Sequence, residues 1–248
     1  MKLNIEKTQL LHITSHQQLT HNKNENIKLT AVDKDGNNIR PKPTSKILGI
    51  TFSSNLTWTH HLEKGTDAIL SKCKQKLAAL KYVASGCTLK QKKLLADACI
   101  MSRITYGIQI WGNMASPSVL YRAQVVQNQL ACWILNSHRL TKTSYLLHKL
   151  NWLSVKQLTV YHSLFLIWKT LRYKLPYRNY IALVNNKNKV GRINLTNNTW
   201  SIKLQKIYWG LPNDIRKCEK ISHFKLKLKK WISSNIPVGD PMKPNIQN

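Results

Sequence analysis

The chain has 248 residues, enough for one large domain or two small ones, and its 42% apolar content suits a protein that buries a core. Charge sets it apart: 39 Lys and Arg against 10 Asp and Glu give a formal +29, so most cations have no carboxylate to pair with. Such a surface attracts polyanions, and no apolar run is long enough to argue for a membrane span.

Residues 1–57 read as β-rich. "KTQLLHI" (7–13), "IKLTAV" (27–32) and "SKILGITF" (45–52) are short β-prone runs, and "DKDGNN" carries the Asp35-Gly36 signal of a tight turn. From about Trp58 the period becomes helical, with Leu62, Ile69, Cys73, Leu77, Leu80 and Val83 on one face and Lys72, Lys74, Lys76 and Lys81 on others, until Gly86 stops it. Thr88 then opens "TLKQ", a capping box in which the threonine hydroxyl accepts from a backbone N–H and Gln91 reaches back. Leu94, Leu95, Ala98, Met101 and Ile104 continue the stripe of this second helix, which also carries Lys90, Lys92, Lys93 and Arg103.

Ser116-Pro117 opens a third helix lined by Leu120, Val126, Leu130, Trp133 and Ile134, with Arg122 on it and Gln124, Gln127 and Gln129 on its polar face. "TSYLLHKL" (143–150) reads as a fourth. "SVKQ" from Ser154 is a second capping box, and Leu158, Tyr161, Leu164, Phe165, Trp168 and Leu171 make the next helix strongly amphipathic, ending near Leu175-Pro176. The polar linker "VNNKNKVGR" leads to strand-like "RINLT" and "WSIKLQKIYW" (200–209). "HFKLKLKKW" is assigned to a helix because Phe224, Leu228 and Trp231 recur at helical offsets, and the Pro-containing tail after Ser233 reads as frayed. The fold class is therefore α+β, mostly α.

Cation distribution points to nucleic acid. Between Asp97 and Asp214 there is no carboxylate, while Arg122, Arg139, Lys142, Lys149 and Lys156 are among the cations that fall there. Five cysteines without C-x2-C spacing fit a reduced, intracellular chain, nuclear or cytoplasmic, and no Cys or His partner at ligand spacing accompanies His60-His61, so no metal site is expected. No Gly-rich phosphate loop or nucleophile elbow is present. Two-metal phosphoryl transfer needs clustered carboxylates, and the one close pair, Asp33 and Asp35, brackets a turn.

Four stretches, in order, resemble the downstream half of the reverse transcriptase of non-LTR (LINE-type, jockey-like) retrotransposons. "LNIEKTQLL" is similar to a Leu-Asn-x-x-Lys-Thr segment of the late palm, and "SKILGITFSSNLTWTHHLEK" to the Leu-Gly-(Ile/Val) hairpin of the primer grip with its Leu-x-Trp continuation. "LLADACIMSRITYGIQIWG" resembles a thumb helix ending in Tyr-(Ala/Gly)-x-x-x-Trp. "LQKIYWGLPNDIRKCEKISHFKLKLKKWI" resembles a C-terminal Trp-x-x-Leu-Pro-x-x-(Ile/Leu)-(Arg/Lys) signature.

The resemblance implies a palm remnant over 1–57, a helical thumb over 58–150 and a mixed C-terminal region over 151–248. It makes Lys7 a relic of an active site and Leu48, Gly49 and Ile50 the primer-grip-like hairpin. The family's Tyr/Phe-x-Asp-Asp, which holds Mg in the intact enzyme, is missing, since the sequence contains no Asp-Asp. The expectation is thus a truncated reverse transcriptase fragment without catalytic residues, cofactor or metal of its own. Its partner would be RNA or an RNA/DNA duplex, held without sequence preference by Lys72, Lys74, Lys76, Lys81, Lys90, Lys92, Lys93, Arg103 and Arg122, and no membrane is expected. The alternatives are a thumb subunit acting in trans with a separate polymerase half, and a decayed copy without function.

Overall fold

Two short β-hairpins precede a run of helices in the computed structural model, which describes residues 8–14, 31–32, 36, 38–39, 41–65, 67–176 and 200–238. The architecture is α+β and mostly α, as expected from the sequence. The chain divides into two compact units, residues 1–72 and 73–248.

In the first unit β1 (Ala31–Val32) pairs antiparallel with β2 (Asn38–Ile39), and β3 (Thr44–Ile47) with β4 (Ile50–Ser53). The run "SKILGITF", expected as one strand, folds back on itself instead. Leu48 and Gly49 both take positive φ, 48° and 81°, the backbone that a two-residue turn between right-twisted strands demands. Of the strand expected over 7–13, the described part makes a single bridge, between Leu10 and Pro41. Proline has no N–H to offer, so the ladder cannot grow through it.

The helix expected from Trp58 also breaks. It starts as α1 (Thr59–Leu62), stops in a segment containing Gly65 at φ 103°, and resumes as α2 (Ile69–Val83), whose residues from Cys73 onward belong to the second unit. Among the described residues of the first unit, Ile50, Trp58, Leu62, Ala68 and Leu70 are the buried apolar ones. The Trp58 ring meets Phe52 edge-on at 5.5 Å, and buried His61 accepts at Nδ1 from the Thr51 amide at 3.2 Å. Burial and the nearby Lys46 ammonium both hold the His61 pKa below its ordinary value.

The second unit is helical among its described residues. The Thr88 capping box forms as expected and starts α3 (Leu89–Ala96). A π-helical turn (Asp97–Met101) follows, then α4 (Ser102–Thr105) and α5 (Ile108–Trp111). One extra residue in a turn rotates everything after it. Of the expected stripe, Met101 and Ile104 are buried, while Leu94 is 69% exposed and Ala98 lies outside; Ala96 and Ile100 are buried in their stead.

Pro117 opens α6 (Pro117–Leu135), and α7 (Thr143–Leu150) follows. The Ser154 capping box starts α8 (Val155–Arg172), which ends a few residues before Pro176. The segment 200–209, expected as a strand, is α9 (Trp200–Trp209). Its apolar residues satisfy both periods locally, and packing decides: Leu204, Tyr208 and Leu211 fall at helical spacing into a core shared with Leu164, Trp168, Phe224 and Leu228. After α10 (Asn213–Arg216), the expected last helix is α11 (Ile221–Asn235) and extends two residues beyond Ser233.

α8 is the hub, in contact with α5, α6, α9 and α11. Trp168 stacks on Phe224 with ring centroids 4.6 Å apart, and Gln157 donates through Nε2 to the Ile236 carbonyl at 2.6 Å, tying the start of α8 to the end of α11. The approach of α5 to α8 requires Gly112, where a Cβ would stand 2.5 Å from Thr159 Oγ1 and 2.6 Å from the Ile108 carbonyl.

Gln124 and Gln127, expected on a polar face of α6, are buried. Gln127 donates to the Leu153 carbonyl at 2.9 Å and accepts from Gln124 Nε2 at 2.8 Å. Gln124 Oε1 accepts from the Val155 amide at 2.9 Å, and Asn128 extends the network to Thr143 at 2.8 Å. Amides able to donate and accept at once therefore join α6 to α7 and to the first turn of α8. Among the described residues no helix is long and apolar enough to cross a membrane.

Candidate nucleic-acid interface

The sequence-expected cations are spread over α2, α3, α4 and α6. Lys72 belongs to the first unit, where it and Lys46, the latter at 2.8 Å, hold the Asp67 carboxylate. These two ammonium groups pull the Asp67 pKa down to about 2. In the second unit Lys76 and Arg103 stand near the buried thiol of Cys73, whose pKa burial raises to about 11 against their pull. Lys93 lies with Lys229 beside Asp97. There burial raises the carboxyl pKa, opposed by Lys93, by a hydrogen bond from the Trp152 indole and by Lys229. Lys74, Lys90, Arg103 and Arg122 are solvent-exposed.

Lys81 and Lys92 do converge. They line a groove of about 740 Å³ with Tyr121, Trp133 and Arg139, and none of the described lining residues is a carboxylate. Each wall has a local cause. Lys81 comes from the last turn of α2, Lys92 from α3, and Tyr121 and Trp133 from α6. Asn136 in the left-handed conformation, φ 50°, ends α6 and turns the chain toward Arg139. That turn is well braced: the Ser137 amide donates to the Cys132 carbonyl at 3.0 Å, and the Thr141 amide and hydroxyl both donate to the His138 carbonyl, at 3.0 and 2.6 Å.

Lys92 sits over the Trp133 ring, 5.7 Å from its centroid. Tyr121 is 43% exposed. Cys132, which also lines the groove, has its thiol pKa raised by burial, with Lys81 opposing. Three cations, two aromatic rings and side-chain amides without a carboxylate can pair with phosphates and stack against a planar base.

Sequence reasoning placed Trp133 in the core and missed Tyr121 and Arg139 as groove residues. The one available signal was the acid-free stretch in which both lie. Leu48, Gly49 and Ile50, expected from the resemblance as a primer-grip-like hairpin, sit at the β3–β4 turn, with Leu48 86% exposed and Ile50 buried. Lys7 lies outside the described residues, as do Asp33 and Asp35. Among the described residues no group of three or more His, Cys, Asp or Glu could hold a metal ion.

Over 88 residues the chain is 36% identical to the probable RNA-directed DNA polymerase from transposon BS of Drosophila melanogaster; the match takes in 34% of this chain and 9% of that protein. That similarity supports a reverse-transcriptase-related region in this chain. The chain thus covers under a tenth of the length of the relative it matches. No family model matches the sequence, and no solved structure matches it at a significant level.

Two of the stretches that carry the resemblance have plain structural causes. In "TYGIQIWG" Gly107 takes φ 63°, which breaks the helix after Tyr106 and starts α5. The fully buried Trp111 then donates through Nε1 to the Tyr106 carbonyl at 3.0 Å, closing the break. In "WGLPNDIR" Pro212 begins α10 while Leu211 and Ile215 enter the core. Arg216 closes the loop by donating to the Leu211 carbonyl at 3.0 Å and stacking 5.7 Å from the Trp209 centroid.

Proposed function

We propose that the chain is the late-palm, thumb and C-terminal part of a LINE-type retrotransposon reverse transcriptase that binds RNA or an RNA/DNA duplex without sequence preference and does not polymerise by itself. Residues 1–57 are then the palm remnant with the primer-grip-like turn at Leu48, Gly49 and Ile50, residues 58–150 the thumb, and residues 151–248 the C-terminal region. The supporting similarity is to an RNA-directed DNA polymerase, and the sequence holds no Asp-Asp to bind catalytic metal ions.

The observation that carries the binding reading is the carboxylate-free groove lined by Lys81, Lys92 and Arg139. Cations without internal partners stay available to phosphates, and phosphate contacts set affinity without conveying sequence. Each neutralised phosphate releases condensed counterions, so about 6 contacts give a slope of log K against log salt of about −4 to −5. A filter-binding titration of the full chain with RNA of unrelated sequences tests this. Equal affinities with that slope are expected; a flat salt response removes the reading. A primer-extension assay with Mg is expected to show no product.

A further inference from the structure

We infer that the groove lined by α2, α3, α6 and the turn after Asn136 holds one unpaired nucleotide of a single-stranded RNA, with its base on the ring of Tyr121. The inference rests on the RNA-binding reading above and adds to it the nature of the site.

Size is the first reason. A groove of about 740 Å³ lies in the range of small-molecule sites, and it suits a base and sugar better than the breadth of a duplex. Tyr121 is the second. A half-exposed aromatic ring inside a cationic groove offers a stacking platform that every base can use, whatever the sequence. Trp133 is differently placed: Lys92 already covers its ring, which holds that ammonium within the groove and leaves Tyr121 as the open face. The third reason is the spread of charge. Lys81, Lys92 and Arg139 reach the groove from three separate elements, so a strand that continues past the bound base finds cations for its flanking phosphates. Finally, the turn carrying Arg139 is braced by its own hydrogen bonds, so little ordering remains to be done on binding.

The test compares fluorescence anisotropy of the full chain with a short oligouridine, an abasic oligomer of the same length, and a duplex RNA. Loss of one stacked base weakens binding by about 5- to 150-fold. Tyr121→Ala is expected to weaken oligouridine binding by that factor and duplex binding by less. Tyr121→Phe keeps the ring and is expected to keep the affinity. The abasic oligomer, which needs no change to the protein, is expected to bind the unaltered chain as weakly as oligouridine binds Tyr121→Ala. If oligouridine and the abasic oligomer bind equally, with the salt dependence intact, the stacking site is wrong while phosphate binding stands. If none of the three RNAs binds in a salt-dependent way, both fail.

Discussion

Gln127→Leu separates the buried network from the polar helix face that the sequence suggests. Gln127 is 0% exposed, donates to the Leu153 carbonyl at 2.9 Å and accepts from Gln124 Nε2 at 2.8 Å. Leucine nearly matches its volume and removes both bonds. Gln124 Nε2 keeps a partner in Asn128 Oδ1 at 2.9 Å, so the main loss falls on the Leu153 carbonyl. A buried polar group stripped of its partner costs about 1–3 kcal/mol. For a unit of this size each kcal/mol lowers Tm by about 2–4 °C, which gives a drop of about 2–12 °C by circular dichroism. Gln129→Leu, on an exposed position of the same helix, is the control and is expected to stay within about 0.5 kcal/mol. Equal melting of the two variants, or a more stable Gln127→Leu, refutes the network as a source of stability.

Gly112→Ala places a methyl against Thr159 and the Ile108 carbonyl, and overpacking of this kind costs about 1–3 kcal/mol, read as a lower urea midpoint; an unchanged midpoint means that α5 shifts freely on α8. Asp97→Asn is expected to stabilise the protein at pH 7, because burial raises the carboxyl pKa in the fold and its ionisation therefore works against folding. The contribution of the protonated acid is full below the unfolded pKa of about 3.8 and is lost as pH rises through the folded pKa, so the variant's advantage should vanish on acidification. The Lys229 pKa is lowered by burial, followed by Lys93, with Asp97 opposing, so neither partner regains from the other what burial removes. A destabilised Asp97→Asn at pH 7 would show that attraction wins. Asp67 behaves oppositely: held by Lys46 and Lys72, its carboxyl is expected to titrate near 2 by carbon NMR and to return toward 3.8 in a Lys46→Ala, Lys72→Ala double variant. Its contribution is present above 3.8 and disappears as pH falls toward 2, and an unshifted carboxyl in the unaltered protein denies the pairing.

Features set by neighbouring residues were the legible ones. Thr88 with Gln91, and Ser154 with Gln157, announce their helices because both halves of the capping box lie within one turn. The turn at Leu48 and Gly49 escaped the β-period reading but fell within the hairpin that the Leu-Gly-Ile resemblance implied. What remained hidden depends on distant partners. Nothing near Asp97 in sequence announces the π-helical turn, or that Ile100 is buried where Leu94 is exposed. Gln124 and Gln127 look like surface residues until Leu153 and Val155 are brought against them. Residues 200–209 fit two periods, and α8 selects the helix. The groove was hidden for the same reason. Lys81 and Lys92 lie on successive helices but Arg139 lies beyond α6, and Trp133 reads as one more core residue until Lys92 is seen above its ring.

The salt slope of RNA binding, measured for the unaltered chain and for a Lys81→Gln, Lys92→Gln, Arg139→Gln variant, tests the central claim most directly. Removing three phosphate contacts should flatten the slope from about −4 to −5 to about −2 to −3, with equal effect on every RNA sequence. A variant that keeps the full slope would contradict the account, since it would place the phosphate contacts elsewhere on the protein.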